Sequence, residues 1–486
     1  NKTILSSFTY AKTHHEIDLE CLFNFSTIHY LDLADSSLDS ISFSSHLNNV
    51  TKKFVIRTNI SSPKFGSISL FGIHKFKSIF LGMNKITGFD NDMITDLDSK
   101  LTHHHQLVDS EIDDDLRLEK NQIVKIKNTT FTSFRLFFNL KSLHLFNNSI
   151  ETIEDNSFIG FNELTSLDLS YNRLESISCN TFKGLKKLNY FILTANKIKW
   201  IHSDAFVDLI SIYSLYLSQN SVKSFKINAI RYNANLYEFF LESNNLDYFD
   251  SAADSFSIDN IKQMGLIRLS FNNLRNVSKV MFKNIFNLSQ LVLDSNRISF
   301  IEDYSFDDCA SLKLLDLDNN RLENLTSNYF RGLNELRRLF LNNNQIEYID
   351  SDALSYMKKL ILLGLAENRL KIFSISILKL LDFNLAIVYA KNNPIEIFES
   401  MQHVDDSKLH RKSFHLDTIH IVNGDLEKVN FCFFNQMKTL FLRRSFLYHE
   451  YYSSILIIDS FHGVDCRLMF YFFKHFYNLR FNVESQ

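Results

Sequence analysis

A 24-residue repeat is the feature that most restricts what this chain can fold into. Each repeat has apolar residues at positions 1, 4, 6, 11 and 14 and asparagine at position 9. The repeats begin at Leu140, Leu164, Leu188, Ile212, Leu236, Met264, Leu288, Leu312, Leu336, Leu360 and Leu385. All spacings are 24 residues except 28 after Leu236 and 25 after Leu360. One such repeat cannot bury its own apolar edge, so the pattern predicts stacked coils that share a continuous core.

Position 9 is asparagine in every one of these repeats. The residues are Asn148, Asn172, Asn196, Asn220, Asn244, Asn272, Asn296, Asn320, Asn344, Asn368 and Asn393. An asparagine beside a buried strand must have its amide hydrogen-bonded, because burying an unpaired amide is costly. We therefore expect each amide to bond backbone groups of its own coil and a neighbouring coil, as a structural asparagine ladder.

The rest of the repeat predicts where the strands and the core lie. Leu143, His144 and Leu145 alternate between apolar and polar, which is typical of a short strand with one buried face. Position 19 is often phenylalanine, a large group that fills the core behind the sheet. These residues are Phe158, Phe182, Phe206, Phe282, Phe306 and Phe330. The predicted fold class is an α/β solenoid with a parallel sheet on a concave face and loops or short helical turns on a convex face.

The segment from Leu164 to Ile177, followed by Phe182 and Leu185, has the form LxxLxLxxNxLxxIxxxxFxxL. It resembles the typical class of leucine-rich repeat, as in Toll-like receptor ectodomains and secreted mosquito leucine-rich immune proteins. The resemblance implies a curved horseshoe that binds ligands outside the cell. It divides the chain into irregular N-terminal repeats and a cap at 1–139, eleven regular repeats at 140–400, and degenerate repeats with a C-terminal cap at 401–486.

The cysteines indicate where a cap lies and which thiols are free. Val464 to Leu468 resembles the start of the cysteine-marked C-terminal cap of extracellular members, which implies a cap around Cys466. The nearby Cys432 is the candidate disulfide partner of Cys466. The chain has five cysteines, so at least one is a free thiol or forms an intermolecular bridge. Cys309 is at position 22 and is expected in the core. Cys179, at position 16, is a candidate exposed thiol through which a dimer could form.

Composition excludes several classes of function. The formal net charge of −3 gives no basic excess for binding nucleic acid. No apolar run reaches the roughly 18 residues of a membrane span. The chain begins at Asn1, so we interpret it as a processed product or a fragment whose signal peptide has been removed. We find no catalytic motif and no complete set of metal ligands, so we expect no enzyme activity, no cofactor and no metal.

Sequons for N-glycosylation are compatible with a secreted protein, and in a chain this rich in asparagine about seven are expected by chance. Besides Asn1, they begin at Asn24, Asn49, Asn59, Asn128, Asn147, Asn276, Asn287 and Asn324.

The concave face is where a ligand is expected. Positions 3, 5 and 7 of each strand point outward, and equivalent residues of neighbouring coils lie about 4.8 Å apart. The candidate ligand-binding residues are Tyr190, Ile192, Tyr216, Phe240, Arg268, Val292, Asp294, Asp316, Asp318 and Phe340. The first four are expected to form an apolar patch, with Arg268 and the three aspartates beside it. Exposed aromatic residues bordered by charge are typical of a protein-binding hot spot.

We therefore expect a secreted, extracellular recognition protein that binds a protein or a microbial surface ligand, with a role in arthropod innate immunity. Three alternatives stay open. One is the ectodomain of a Toll-like or adhesion receptor whose membrane segment follows Gln486. Another is a structural or matrix protein that self-associates. The last is an intracellular scaffold, which the sparse cysteines favour and the phenylalanine-containing repeat class opposes.

Overall fold

The computed structural model describes residues 115–131, 139–249, 261–372, 388–390 and 392–394 with their side chains, together with Gly82 and the backbone of further short strands. The chain divides into two compact units, Asn1–Met264 and Gly265–Gln486. Each unit is a stack of coils, and every coil of the regular repeats contributes one strand to a parallel sheet.

In the first unit this sheet is built from short strands at positions 3 to 5 of each repeat. They are Phe8–Thr9, Leu31–Asp32, Phe54–Val55, Lys75–Phe80, Glu111–Arg117, Ser142–His144, Ser166–Asp168, Tyr190–Ile192, Ser214–Tyr216 and Glu238–Phe240. From Leu116 onward the register is constant, since Leu116, Leu143, Leu167 and Phe191 are successive partners. Each of these central residues is buried because it lies on the core side of its strand.

The second unit repeats this arrangement. Its strands are Leu266–Arg268, Gln290–Val292, Leu314–Asp316, Arg338–Phe340, Leu362–Gly364, Ile387–Tyr389, Thr418–Val422, Thr439–Arg443 and Ile455–Asp459. All the pairings within this unit are parallel except the last, in which Ile455–Asp459 runs antiparallel to Thr439–Arg443.

A second strand forms at positions 13 and 14 of the regular coils, and these strands pair two by two. The pairs are Lys125–Ile126 with Thr152–Ile153, Ser176–Ile177 with Trp200–Ile201, Ser224–Lys226 with Tyr248–Asp250, Asn276–Val277 with Phe300–Ile301, Asn324–Leu325 with Tyr348–Ile349, and Ile372–Ser374 with Ile397–Glu399. Where the structure describes their side chains, position 14 faces the core and position 13 faces solvent. Near the N-terminus, Glu16–Asp18, Ser40–Ser42 and Gly66–Ser69 form a further parallel sheet, and Ile4–Leu5 pairs with Thr27–Ile28.

The core between these two sets of strands is continuous within each unit. The position-19 phenylalanines are almost completely buried and stack on one another, with ring centroids 5.9 Å apart for Phe158 and Phe182 and 6.2 Å for Phe282 and Phe306. In the part of the chain described, the one helical element is the 3-10 helix Ile227–Ile230. The predicted parallel sheet of stacked coils is therefore confirmed, with turns rather than helices connecting the strands.

The position-9 asparagines connect consecutive coils. The Asn172 amide nitrogen donates to the carbonyl oxygens of Leu145 and Leu169, at 3.0 Å each. Its side-chain oxygen accepts a hydrogen bond from the Ile150 N–H, also at 3.0 Å. The buried side chain of Asn172 thus hydrogen-bonds three backbone groups that have no partner in the strand pairing.

A left-handed residue precedes each of these asparagines. Position 8 has a φ between 53° and 58° in every described coil, including the large residues Tyr171 and Phe271. Side chains other than glycine lose about 1–2 kcal/mol in this conformation. The backbone N–H offsets this cost by bonding the next coil, as Tyr171 does with the Thr194 carbonyl oxygen at 2.9 Å. The turn is imposed by the stack rather than by a glycine.

Candidate functional site

The sheet face predicted to be concave carries the candidate residues of the first unit on neighbouring strands. Tyr190, Ser214 and Glu238 are successive partners at position 3. Ile192, Tyr216 and Phe240 are successive partners at position 5. We call the outward side of positions 2, 3, 5 and 7 the first-strand face.

Two tyrosines that the sequence analysis missed enlarge this group. Tyr213 and Tyr237, both at position 2, stack with ring centroids 5.4 Å apart, and Tyr190 contacts the edge of Tyr213 at 6.4 Å. Tyr216 stacks on Phe240 at 4.5 Å with the rings nearly parallel. We call Tyr190, Tyr213, Tyr216, Tyr237 and Phe240 the aromatic cluster. A comparison of position 2 between consecutive repeats could have found the pair of tyrosines.

The aromatic cluster contains a carboxylate. Glu238 Oε2 accepts a hydrogen bond from Ser214 Oγ at 2.6 Å and lies 3.5 Å from the Tyr216 hydroxyl. Partial burial and the negative charge of Glu238 raise the pKa of Tyr213, and burial raises the pKa of Tyr216. Both phenols are therefore protonated at neutral pH and can donate hydrogen bonds to a ligand. Tyr190 and Tyr213 expose 48% and 41% of their surface, so a ligand can reach them.

The candidate residues of the second unit follow one line across its sheet. Arg268, Val292, Asp316 and Phe340 are successive partners at position 5. Arg268 is exposed, whereas the other three are half-buried. Asn342 lies beside this line at position 7.

The three aspartates of this unit lie at positions 5 and 7 of adjacent coils. Asp294 accepts hydrogen bonds from the hydroxyls of Ser270 and Ser295, and Asp318 accepts two from Asn342. Burial raises the pKa of Asp316 to about 6, and the negative charges of Asp318 and Asp294 add to this effect. Burial also raises the pKa of Asp318. This part of the face therefore changes its charge between pH 5 and 7.

The remaining candidate residues are placed as follows. Cys309 is buried, and burial raises the pKa of its thiol to about 12, so it is an unreactive core residue. Cys179 is half-buried, and both thiols are free. Cys432 and Cys466 lie outside the described residues, as do the sequons at Asn24, Asn49 and Asn59. The other sequon asparagines are exposed; they are Asn128, Asn147, Asn276, Asn287 and Asn324.

Two classes of feature are missing from the described part of the chain. It contains no group of three or more His, Cys, Asp or Glu side chains arranged to hold a metal ion. It also has no helix with the length and apolar content needed to cross a bilayer.

Comparison with known sequences identifies the repeat. The sequence profile of the family described as leucine rich repeat matches residues 114–174, 138–198, 163–222, 264–322 and 310–370. The matched family is a repeat family and not a catalytic one. No curated protein matches the chain in sequence.

Solved structures match the chain at low identity. The glycosylated Drosophila Toll–Spatzle complex matches with a TM-score of 0.58 and 18% identity, over 82% of this chain and 57% of the matched chain. A leucine-rich repeat protein of Leptospira interrogans matches with a TM-score of 0.49 and 20% identity, over 73% of this chain and 88% of its own. The TLR13–ssRNA13 complex matches with a TM-score of 0.44 and 18% identity, over 88% and 72%.

This chain thus spans little more than half of the chain it matches in the Toll–Spatzle complex. The repeat profile, the asparagine hydrogen bonds and the parallel sheet agree with one another, and on these grounds the chain is a leucine-rich repeat protein whose fold is similar to that of Toll-like ectodomains.

Proposed function

We propose that this protein recognises a protein ligand outside the cell, and that the aromatic cluster on the first-strand face of its first unit is the binding site. The observation that carries the proposal is the contact between Tyr190, Tyr213 and Tyr237 together with the stacked pair Tyr216 and Phe240. The site binds by contact and performs no reaction.

The chemistry of the cluster favours a protein over other ligands. Tyrosine supplies a large apolar surface with one hydrogen-bonding end and few rotatable bonds, so it is enriched in the centres of protein interfaces. Glu238, among the rings, provides an acceptor for a ligand amide or a basic side chain. The net charge of −3 lacks the positive field that a nucleic-acid ligand requires.

The second unit offers a separate polar surface of its own. Arg268 and the aspartates at positions 5 and 7 supply charges of both signs around Val292 and Phe340. Charged groups at the edge of an interface determine specificity and the rate of association more than affinity. We propose that this line of residues selects among ligands, while the aromatic cluster supplies most of the binding free energy.

The biological setting belongs to the same proposal. In the solved complex, Toll is bound to Spatzle, which is a precedent for a protein ligand on an array of this fold. A secreted immune recognition protein and a Toll-like receptor ectodomain both fit the cluster and the exposed sequons. A microbial surface component is the alternative ligand, and a self-associating matrix protein is the alternative role.

The test is a pull-down from the extracellular fluid of the source organism, read by mass spectrometry. Wild type is compared with the double variant Tyr216→Asp/Phe240→Asp, which places two charges in the cluster. We expect a protein partner to be captured by the wild type and lost with the variant, because two charges next to Glu238 oppose burial of the interface. A direct binding measurement with the purified partner should then show at least a roughly 100-fold loss of affinity, as expected when central interface residues are lost.

Tyr248→Asp/Tyr348→Asp is the matched control, because it introduces the same two charges at exposed aromatic residues outside the first-strand face. Thermal melts of all three proteins verify folding. A partner retained equally by the cluster variant and the control would contradict the proposed site. Light scattering at increasing concentration identifies self-association, which would contradict the recognition role if the captured partner were the chain itself.

A further inference from the structure

In each unit, the second strands carry a row of exposed aromatic residues that the proposed binding site does not use. Position 13 is aromatic in every other repeat from the third to the ninth, and the residues there are Trp200, Tyr248, Phe300 and Tyr348. Each exposes half or more of its surface: 54%, 53%, 50% and 60%, respectively. A group that covered one of these rings would remove its apolar surface from water, which is favourable.

The strand pairing places one small polar residue directly beside each of these rings. The register pairs Ser176 with Trp200, Ser224 with Tyr248, Asn276 with Phe300 and Asn324 with Tyr348. Paired residues of parallel strands point to the same side of the sheet, with about 5 Å between their side chains. Both members of each pair therefore face solvent together.

The two asparagines in this row both begin a sequon. Asn276 is followed by Ser278, and Asn324 is followed by Thr326, each two residues later. Both asparagines are exposed. In the second unit, a sequon asparagine and an exposed ring are thus cross-strand neighbours twice, at the same repeat position.

We infer that Asn276 and Asn324 carry N-linked glycans whose first sugars lie on the rings of Phe300 and Tyr348. One face of a pyranose ring presents C–H groups, and these pack well on the face of an aromatic ring. The sugar attached to the asparagine amide is the only part of a glycan that must remain within reach of the neighbouring strand. Covering the ring removes apolar surface from water, which stabilises the second-strand sheet.

The covalent step uses a lipid diphosphate-linked oligosaccharide as donor. The asparagine Nδ2 attacks C1 of the first sugar and forms the N–C1 bond. The C1–O bond breaks, the lipid diphosphate leaves with its electron pair, and Nδ2 loses one proton. In nature this requires the secretory route, so the inference rests on the extracellular placement that we propose for the protein.

The experiment expresses the full chain behind a secretion leader in insect cells, so that glycosylation does not depend on the natural route. Glycopeptide mass spectrometry should show both asparagines occupied. Phe300→Ala and Tyr348→Ala are then compared in the glycosylated protein and in the Asn276→Gln/Asn324→Gln background. We expect each ring truncation to lower Tm by about 2 °C more in the glycosylated protein. Empty sites, or equal losses in the two backgrounds, would overturn the inference.

A second test adds a glycosylation site beside another of these rings. Ser176→Asn creates a sequon with Ser178, directly beside Trp200, which is the only tryptophan in the chain. We expect the variant to be glycosylated and its tryptophan emission to move to shorter wavelength, with about half the acrylamide quenching. Asn128→Gln, which removes a sequon outside this row, should leave tryptophan emission and the Phe300→Ala effect unchanged.

The two proposals can fail independently. Loss of ring-dependent stabilisation in insect cells contradicts only the glycan packing, because that host supplies the modification. Unmodified Asn276 and Asn324 in protein isolated from the source organism, with packing intact in insect cells, would contradict the extracellular placement instead.

Discussion

Adjacent residues in one repeat can have entirely different roles. Asn148 is buried, and its amide bonds the Leu118 and Leu145 carbonyl oxygens and the Ile123 N–H at 2.9–3.0 Å. Asn147, one residue earlier, is exposed and lies in the left-handed turn with a φ of 53°. The residue type is the same, but only Asn148 connects two coils through its side chain.

This difference predicts unequal effects of the same substitution. Asn148→Ala removes three buried hydrogen bonds and leaves the Ile123 N–H without its acceptor, whereas the Leu118 and Leu145 carbonyl oxygens still accept from Asn121 and Asn172. The variant should lower the free energy of unfolding by about 2–3 kcal/mol. Asn147→Ala changes only the preference for the left-handed turn and should cost about 1 kcal/mol. Urea unfolding of the unglycosylated variants measures both. Similar losses would show that the ladder is not what stabilises this coil.

Asp316 provides a prediction on pH. Its pKa is raised from 3.8 to about 6, so the folded chain binds its proton more tightly than the unfolded chain does. The contribution of Asp316 to the free energy of unfolding is therefore fully present below about pH 4 and is lost as the pH rises through about 6. Because the side chain is partly exposed, we expect a change of only about 1 kcal/mol.

Asp316→Asn removes this dependence while still accepting the Asp318 N–H bond. The variant should therefore gain stability relative to wild type between pH 4 and pH 7.5, as measured by urea unfolding across that range. Asp294→Asn is the control, since removing this nearby negative charge should lower the pH at which wild-type stability falls. Parallel pH profiles for wild type and Asp316→Asn would be inconsistent with a raised pKa.

At the scale of the element, the same contacts recur once in every coil of 24 residues. Ile298 donates its N–H to Asn320 Oδ1, and Leu322 donates to Asn344 Oδ1, each 22 residues apart. Position 8 turns and position-19 phenylalanines recur with the same period. The fold therefore depends on keeping the repeat positions in phase, that is, at their 24-residue spacing, more than on the presence of any one coil.

This dependence predicts that a whole coil can be removed. Deleting residues 312–335 joins Ser311 to Leu336 in phase, so Ile298 can bond Asn344 in place of Asn320. We expect the same far-UV circular dichroism per residue and cooperative urea unfolding. Deleting only residues 312–323 puts positions 13 to 24 where a strand should start, and should abolish the cooperative transition. Equal behaviour of the two deletions would refute the role of phase.

At the scale of the whole molecule, the repeats allow a chain of this length to bury its apolar residues without one large compact core. With 486 residues it exceeds the roughly 250–300 residues that a single compact core supports. Stacked coils avoid this limit because each coil needs to contact only its neighbours. The same design leaves the outward positions of every strand free to vary, so the binding surface is not tied to the fold.

The predicted division at 140 and 400 and the curvature of the horseshoe stay predictions, as does the Cys432–Cys466 disulfide. The predicted ligand-binding residues are exposed or half-buried on the first-strand face of their own units. Their role in binding is likewise a prediction, and the pull-down tests it.

The sequence by itself determined the period, the apolar core and the position-9 asparagines. These are local requirements that recur at one place in each repeat, so the pattern shows them without coordinates. Only the tertiary structure decided that Tyr213 and Tyr237 stack, that Glu238 bonds Ser214, and that Asn276 lies beside Phe300. These contacts join residues 24 apart through the lateral register of neighbouring strands. Side-chain direction and burial set them, and a one-dimensional pattern contains neither.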